Sequence, residues 1–295
     1  METPFRSGYV SLVGRPNVGK STLLNVLLGQ KISIVSPKPQ TTRNRILGIR
    51  NFPDAQVIFF DTPGLHKPQT LLGRVMVSSV KDVLQEIDLV LFVTEPGRHA
   101  EADEGLLNDI KGIDKPVFLV INKIDKIKKP ELLDIIAEYS GKFGFKEIIP
   151  VSAVSNDGID LLMDRVLEYL PPGPRYYPEE IVTDQVERFM AAEIIREKIM
   201  ERTTEEVPHS VAVDVESWKE REDGLVSISA VIYVERDGQK GIIIGEKGKM
   251  LKSIAVNARL EIEKLLDTKV FLQLWVKVKK GWRDDGKALG ELGYK

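Results

Sequence analysis

Between residues 9 and 170 the chain alternates short, mostly apolar runs with longer stretches in which apolar residues recur every three or four positions. The runs at 9–13, 46–50, 57–60, 89–93, 117–121 and 148–151 predict strands, and the periodic stretches at 20–28, 72–85, 104–110, 131–143 and 159–170 predict helices. Strands that are apolar on both faces and alternate with helices predict a mainly parallel sheet covered on both sides. The runs 46–50 and 57–60 are separated by a Pro53-Asp54 turn and predict an antiparallel hairpin at one edge.

The pattern breaks at Pro171-Pro172-Gly173-Pro174-Arg175-Tyr176-Tyr177-Pro178, where four prolines in eight residues stop the preceding helix. This predicts a domain of residues 1–172, a linker at 173–180 and a second domain at 181–295. In the second part, 187–201 has helical spacing, 211–215 and 225–234 read as strands, and the Ile-rich run 242–244 leads into Gly245-Glu246-Lys247-Gly248. Residues 250–266 are helical again, and 270–278 is a strand with Val270, Leu272, Leu274, Val276 and Val278 on one face. The order is α-β-β-α-α-β.

A length of 295 residues fits two domains, and the chain holds no cysteine, so disulfides and thiolate metal sites are excluded. Its three histidines, His66, His99 and His209, are too far apart in sequence to suggest a zinc site. No apolar run approaches the roughly 20 residues that a membrane-spanning helix needs, and residues 1–8 have no leader-like apolar segment. A cytoplasmic protein is expected. The net charge of −2 conceals an asymmetry: from Gly241 onward there are 12 Lys and Arg against 7 Asp and Glu, so that segment carries +5 and the rest −7. A basic end on a mildly acidic body points to a polyanionic partner.

The chemistry begins with Gly14-Arg15-Pro16-Asn17-Val18-Gly19-Lys20-Ser21, which fits G-x-x-x-x-G-K-[ST] between a predicted strand and helix. Glycines let backbone N–H groups curl around phosphate oxygens, and the helix N-terminus adds partial positive charge. Gly14, Asn17, Val18, Gly19, Lys20, Ser21 and Thr22 are the expected phosphate-binding residues, with Lys20 on the β- and γ-phosphates and the Ser21 hydroxyl on Mg²⁺. Asn122-Lys123-Ile124-Asp125 follows the strand at 117–121 and selects the base. A carboxylate there accepts from both N1–H and the 2-amino group of guanine, whereas adenine would leave Asp125 unpaired. Asn122 and Lys123 brace the base. Asp61-Thr62-Pro63-Gly64 follows the strand at 57–60, so Asp61 is expected to hold Mg²⁺ through water and Gly64 to meet the γ-phosphate. Ser152-Ala153 follows the strand at 148–151 and is expected to line the guanine edge with backbone N–H.

Four such pieces in this order resemble the translation-factor-related P-loop GTPases. That class adds a Thr from the first switch segment to the metal site. Thr41 and Thr42 both qualify by spacing, and the resemblance favours Thr42. Ras-like relatives orient water with a Gln after the Asp-x-x-Gly segment, where this chain has Leu65. An apolar side chain cannot orient water, so backbone groups, another residue or a partner must do so. In related GTPases with Gly-x-Pro-Asn-x-Gly-Lys-Ser loops the Asn helps to bind K⁺, which implies that role for Asn17.

Gly245-Glu246-Lys247-Gly248 is a side-chain-poor loop that a nucleic-acid backbone can approach, with Lys247, Lys249 and Lys252 at hand for phosphates. Ile254 and Ala255 are expected to floor a base-binding groove. Together with the α-β-β-α-α-β order this looks like a type II KH domain. Trp275, Lys277, Lys279, Lys280, Trp282 and Arg283 form a basic, aromatic stretch suited to stacking bases and meeting phosphates. An α/β P-loop GTPase domain followed by a small α+β type II KH domain is the arrangement of the Era family. The resemblance spans nearly the whole chain and rests on the phosphate loop, Gln40-Thr41-Thr42-Arg43, Asp61-Thr62-Pro63-Gly64-Leu65-His66, Asn122-Lys123-Ile124-Asp125 and Gly245-Glu246-Lys247-Gly248. It implies GTP hydrolysis with Mg²⁺, a role in small ribosomal subunit assembly and the 3′ end of 16S rRNA as partner. It also implies peripheral contact with the inner membrane, although the sequence offers no lipid anchor; a monomer is expected. A metabolic kinase is disfavoured by Asn122 to Asp125 and by the lack of an acceptor-site domain.

Overall fold

A computed structural model of the chain describes residues 4–64, 68–97 and 100–294. They form two compact units: Met1–Ser33, Thr42–Lys67 and Met76–Asp184 in the first, and Ile34–Thr41, Pro68–Val75 and Gln185–Lys295 in the second.

The first unit holds strands β1 (Arg6–Val13), β2 (Ile46–Asn51), β3 (Ala55–Asp61), β4 (Leu89–Thr94), β5 (Val117–Ile121) and β6 (Glu147–Pro150). Helices α1 (Lys20–Leu28), α3 (Ala100–Ile110), α4 (Lys129–Ser140) and α5 (Ile159–Tyr169) also belong to it, while α2 (Leu71–Glu86) starts within the second unit's Pro68–Val75 segment. The sheet order is β2-β3-β1-β4-β5-β6. Every pair is parallel except the β2–β3 hairpin, in which Ile46 faces Asp61. Burial on both faces explains the unbroken apolar runs: every residue of β3, β4 and β5 is buried. Val13, Ile58, Phe92, Leu119 and Tyr139 lie in one apolar cluster.

The segment predicted as a linker runs along the first sheet. The Gly173 N–H donates to the Phe5 carbonyl at 3.0 Å, and the Ser7 hydroxyl to the Pro174 carbonyl at 2.6 Å. Buried Gln56 donates to the Tyr177 carbonyl (2.8 Å) and accepts from the N–H groups of Tyr176 (2.8 Å) and Tyr177 (3.0 Å). On β2, the Ile49 N–H donates to the Val182 carbonyl at 2.8 Å, and the Thr183 hydroxyl donates to the Leu47 carbonyl at 2.6 Å.

The second unit contains α6 (Glu187–Arg202), α7 (Val207–Ser210), β7 (Ala212–Glu220), β8 (Val226–Val234), α8 (Asp237–Ile244), α9 (Lys249–Leu266), β9 (Val270–Val278) and α10 (Gly286–Glu291). Its sheet order is β7-β8-β9, with β7 antiparallel and β9 parallel to β8. The predicted α-β-β-α-α-β order is present, with the short α7 and α10 added. Ile195, Ile228, Ile254, Ala258 and Ile262 share its core. The Lys198 ammonium on α6 bonds Glu261 on α9 at 2.7 Å, closing the helical layer.

Candidate functional site

The carboxyl ends of β1, β3, β5 and β6 converge in the first unit, where open α/β sheets bind ligands. The phosphate loop leaves β1 and ends at Gly19, the N-cap of α1, which has no side chain to occupy the first N–H groups of the helix. Those groups are left for an anion. Four of the loop's carbonyls accept from side-chain donors. Lys20 Nζ donates to the carbonyls of Gly14 (3.0 Å) and Arg15 (2.9 Å). Lys123 Nζ donates to the Asn17 carbonyl (2.6 Å) and Asn122 Nδ2 to the Val18 carbonyl (3.0 Å). Asn17 and Lys123 both take left-handed backbone conformations, with φ of 69° and 64°. Gly19, at φ 95°, is glycine for a second reason: an added Cβ would lie 2.4 Å from Asn122 Nδ2.

Lys20 is buried, and loss of hydration pushes its ammonium down to about 8; Asp61 pulls the other way. Burial likewise raises the carboxyl of Asp61, opposed by hydrogen bonds and by the Lys20 charge. Asp61 Oδ2 accepts from the hydroxyls of Ser21 (2.7 Å), Ser33 (2.9 Å) and Thr42 (3.0 Å), while its Oδ1 is buried without a partner. Ser21 and Thr42 hydroxyls are 2.9 Å apart. Two hydroxyls beside a carboxylate with an orphaned oxygen suit a hard, oxygen-seeking, partly hydrated cation such as Mg²⁺. Thr41 turns elsewhere: its hydroxyl donates to the Lys38 carbonyl at 2.7 Å. Geometry therefore separates the two threonines that spacing left open. Thr22 is half-buried on the first turn of α1, and Gly64 lies against Pro16; Leu65 and His66 fall outside the described residues.

The base-side loop is cross-braced. The buried Asn122 Oδ1 accepts from the N–H groups of Lys123 (2.8 Å) and Ala153 (3.1 Å). The exposed Asp125 accepts from the Ser152 hydroxyl at 2.6 Å. The Ser152 N–H donates to the Asp157 carbonyl at 2.9 Å, and the Ser152 hydroxyl and the Ala153 N–H tie the expected guanine-edge segment to Asp125 and Asn122.

Sequence reasoning missed three contributors. Glu95 pairs with Lys123 at 2.6 Å, and its place just after β4 was the available signal. Asn25 on α1 accepts from the N–H groups of Ile32 and Ser33, both at 2.9 Å, and so delivers the Ser33 hydroxyl to Asp61. No spacing rule marks Asn25 or Ser33.

In the second unit, Gly245 has φ 69°, and a Cβ there would lie 2.6 Å from the Met250 Cβ. Lys247 is left-handed, and Glu246, Lys247, Lys249 and Lys252 are exposed around Gly248. Trp275 is 58% exposed on the outer face of β9. Trp282 is not available for stacking: it is fully buried, and its indole N–H donates to the Ser210 carbonyl at 3.0 Å. Ile254 is likewise core rather than groove floor. Lys277 pairs with Glu216, Lys279 with Glu291 and Arg283 with Glu235, so much of the basic stretch is neutralised internally.

The profile of the 50S ribosome-binding GTPases matches residues 9–123, and that of the KH domain matches residues 206–283. GTPase Era of Geobacter metallireducens is 56% identical over 295 residues, covering 99% of both chains. The chain belongs to the Era family of GTPases. GTPase Era of Ruminiclostridium cellulolyticum is 53% identical, over 99% of this chain and 98% of its own. A variant of Era from Aquifex aeolicus, bound to GDP·AlF4⁻, superposes with a TM-score of 0.94 at 44% identity, over 98% of this chain and 99% of that one. An Era complex with MgGDPNP and nucleotides 1506–1542 of 16S ribosomal RNA matches with the same TM-score, identity and coverage. Membership in the Era family fixes the two folds, a P-loop GTPase and a KH domain, and the hydrolysis of GTP.

Proposed function

We propose that this Era-family GTPase couples its nucleotide state to binding of the 3′ end of 16S rRNA during assembly of the small ribosomal subunit. One observation carries the nucleotide half: Asn122 and Lys123 of the base-side loop donate directly to carbonyls of the phosphate loop. A base held at one end is thereby set in register with phosphates at the other. In this reading Gly14, Asn17, Val18, Gly19, Lys20, Ser21, Thr22 and Gly64 cradle the phosphates. Asn122, Lys123, Asp125, Ser152 and Ala153 bind or brace guanine.

Ser21 and Thr42 would hold Mg²⁺, with Asp61 acting through water; the ion supplies charge neutralisation at the phosphates. Lys20, displaced from the loop carbonyls, carries its charge to the β- and γ-oxygens. With Leu65 where Ras-like relatives have Gln, we assign K⁺ to the exposed side chain of Asn17 as the further positive charge. A hydrolysis rate equal in K⁺ and Na⁺ would remove that assignment.

We assign the GTPase domain to residues 1–172, the connecting segment to 173–180 and the RNA-binding domain to 181–295. The RNA backbone is read at Gly245, Glu246, Lys247 and Gly248 with Lys249 and Lys252, and Trp275 and Lys279 contribute beyond them. The Era complex with 16S rRNA supports this partner. Among the described residues no helix is long and apolar enough to cross a membrane. We place the protein in the cytoplasm as a monomer with peripheral inner-membrane contact, which liposome flotation under RNA competition would test. The deciding experiment is binding of 16S 3′-end oligonucleotides with a non-hydrolysable GTP analogue and with GDP. Selective binding that is tighter with the analogue supports the switch; equal, unselective binding in both states refutes it.

A further inference from the structure

The phosphate loop is held by its main chain at Gly14, Arg15, Asn17 and Val18. Among the described residues, Arg15 is the one position of the loop 14–19 whose side chain also bonds another element. Its Nε donates to Asp103 Oδ1 at 2.6 Å. Asp103 lies on α3 and is 1% exposed. Its second oxygen accepts from the Tyr139 hydroxyl on α4 at 2.5 Å and from the Thr94 hydroxyl at the end of β4 at 3.0 Å, and those two hydroxyls are 2.8 Å apart. Both partners are fully buried, and Arg15 Nη2 is buried with no partner.

An ion pair with a fully buried carboxylate is a poor stability device, because desolvation offsets most of its attraction. Its merit is geometric: a carboxylate fixed by two hydroxyls on different elements presents one oxygen in one direction. What it fixes is the entrance to the loop. The next residue, Pro16, is the loop's contact with Gly64, where a Cβ would lie 2.9 Å from Pro16 N and 3.0 Å from Pro16 Cα. Arg15 thus sets the spacing between the phosphate loop and the segment that follows Asp61, the two walls of the γ-phosphate site.

We propose that Arg15, clamped by Asp103, Tyr139 and Thr94, is a positioning residue for GTP hydrolysis that sets the γ-phosphate site and contributes little to holding GDP. In the nucleotide-site assignment above, GDP would lie against the part of the loop anchored by Lys123 and Asn122, to which the Arg15 side chain is not bonded. The inference rests on the nucleotide-site assignment above. If that assignment failed, Lys20→Met would bind GDP and hydrolyse GTP as the unaltered protein does, an outcome distinct from any below.

The test uses the full chain with Mg²⁺ and two readouts, affinity for fluorescent GDP and single-turnover GTP hydrolysis. Arg15→Met should slow hydrolysis about 10- to 100-fold, the size of a 1 Å misplacement. GDP affinity should stay within about threefold. Arg15→Lys, which keeps the charge, should recover part of the rate. Adding Asp103→Asn to Arg15→Met should cost little more, because both break one unit. An unchanged rate for Arg15→Met overturns the proposal, as does a loss of GDP affinity equal to the loss of rate. Should Arg15→Met fold poorly, Tyr139→Phe carries the test, since it keeps the ion pair and removes one brace. A smaller fall in rate at unchanged GDP affinity supports the proposal, and an unchanged rate refutes it.

Discussion

Gly19→Ala places a methyl group at the junction between the phosphate and base sites. Two terms set its effect. The backbone there is left-handed, at φ 95° and ψ 26°, which penalises a residue with a Cβ by about 1–2 kcal/mol. The methyl would also sit 2.4 Å from Asn122 Nδ2, inside any tolerable contact, and Asn122 is buried. Moving it breaks up to three hydrogen bonds, to Val18, Lys123 and Ala153. At about 0.5–1.5 kcal/mol each, these bring the total to roughly 2.5–6.5 kcal/mol. If about 2 kcal/mol of this falls on the nucleotide-bound state, GDP affinity drops about 30-fold. Titration with fluorescent GDP measures the affinity and a melting curve measures the fold. Gly29→Ala is the control: φ is 71°, also left-handed, but nothing lies within 4 Å of the new methyl. It should lower the melting temperature and leave GDP affinity alone. Equal affinities for wild type and Gly19→Ala would refute the argument that Asn122 links the two sites.

Thr42→Ala should raise the Mg²⁺ concentration needed for hydrolysis about tenfold or more, whereas Thr41→Ala should not; a Mg²⁺ titration of the rate separates them. The lowered value of Lys20, about 8 against an ordinary 10.5, means that the unfolded chain binds more protons than the folded one between those limits. Nucleotide-free protein should therefore gain stability from this group as pH rises from 8 towards 10.5, a gain absent in Lys20→Met and visible in denaturant titrations. Trp282→Ala should destabilise the fold by about 3–5 kcal/mol. Trp275→Ala should leave the melting temperature unchanged and weaken binding of the 16S oligonucleotide.

The elements that were legible in sequence are those whose burial imposes a period. Strands β4 and β5 appear as unbroken apolar runs because both faces are covered, and β9 appears as an alternation because one face is open. The phosphate loop was legible because close approach of backbone to phosphate admits few sequences. What escaped depends on distances between elements. Asp103 lies 88 positions from Arg15, and no local pattern tells its carboxylate from any other on an amphipathic helix. Trp282 was misread because a basic neighbourhood says nothing about which way an indole points; its N–H found the Ser210 carbonyl and its ring Tyr294, leaving it inside. The two threonines could be told apart only by their hydroxyls, one turned to Lys38 and the other to Asp61.

The residues that follow the proline-rich segment have a consequence for how the first sheet survives in a crowded solution. Strand β2 is an outermost strand, and its outward N–H and carbonyl groups at Ile49 and Leu47 are taken by Val182 and Thr183. An uncovered edge of this kind is a template for another chain's strand. A fragment ending at Pro172 would keep every strand of the sheet yet strip this cover. It should self-associate where a fragment extended through Asp184 stays dispersed. Residues 182 and 183, which follow the stretch that reads as a spacer, are for the sheet a selvage that keeps the weave from being continued by a neighbour.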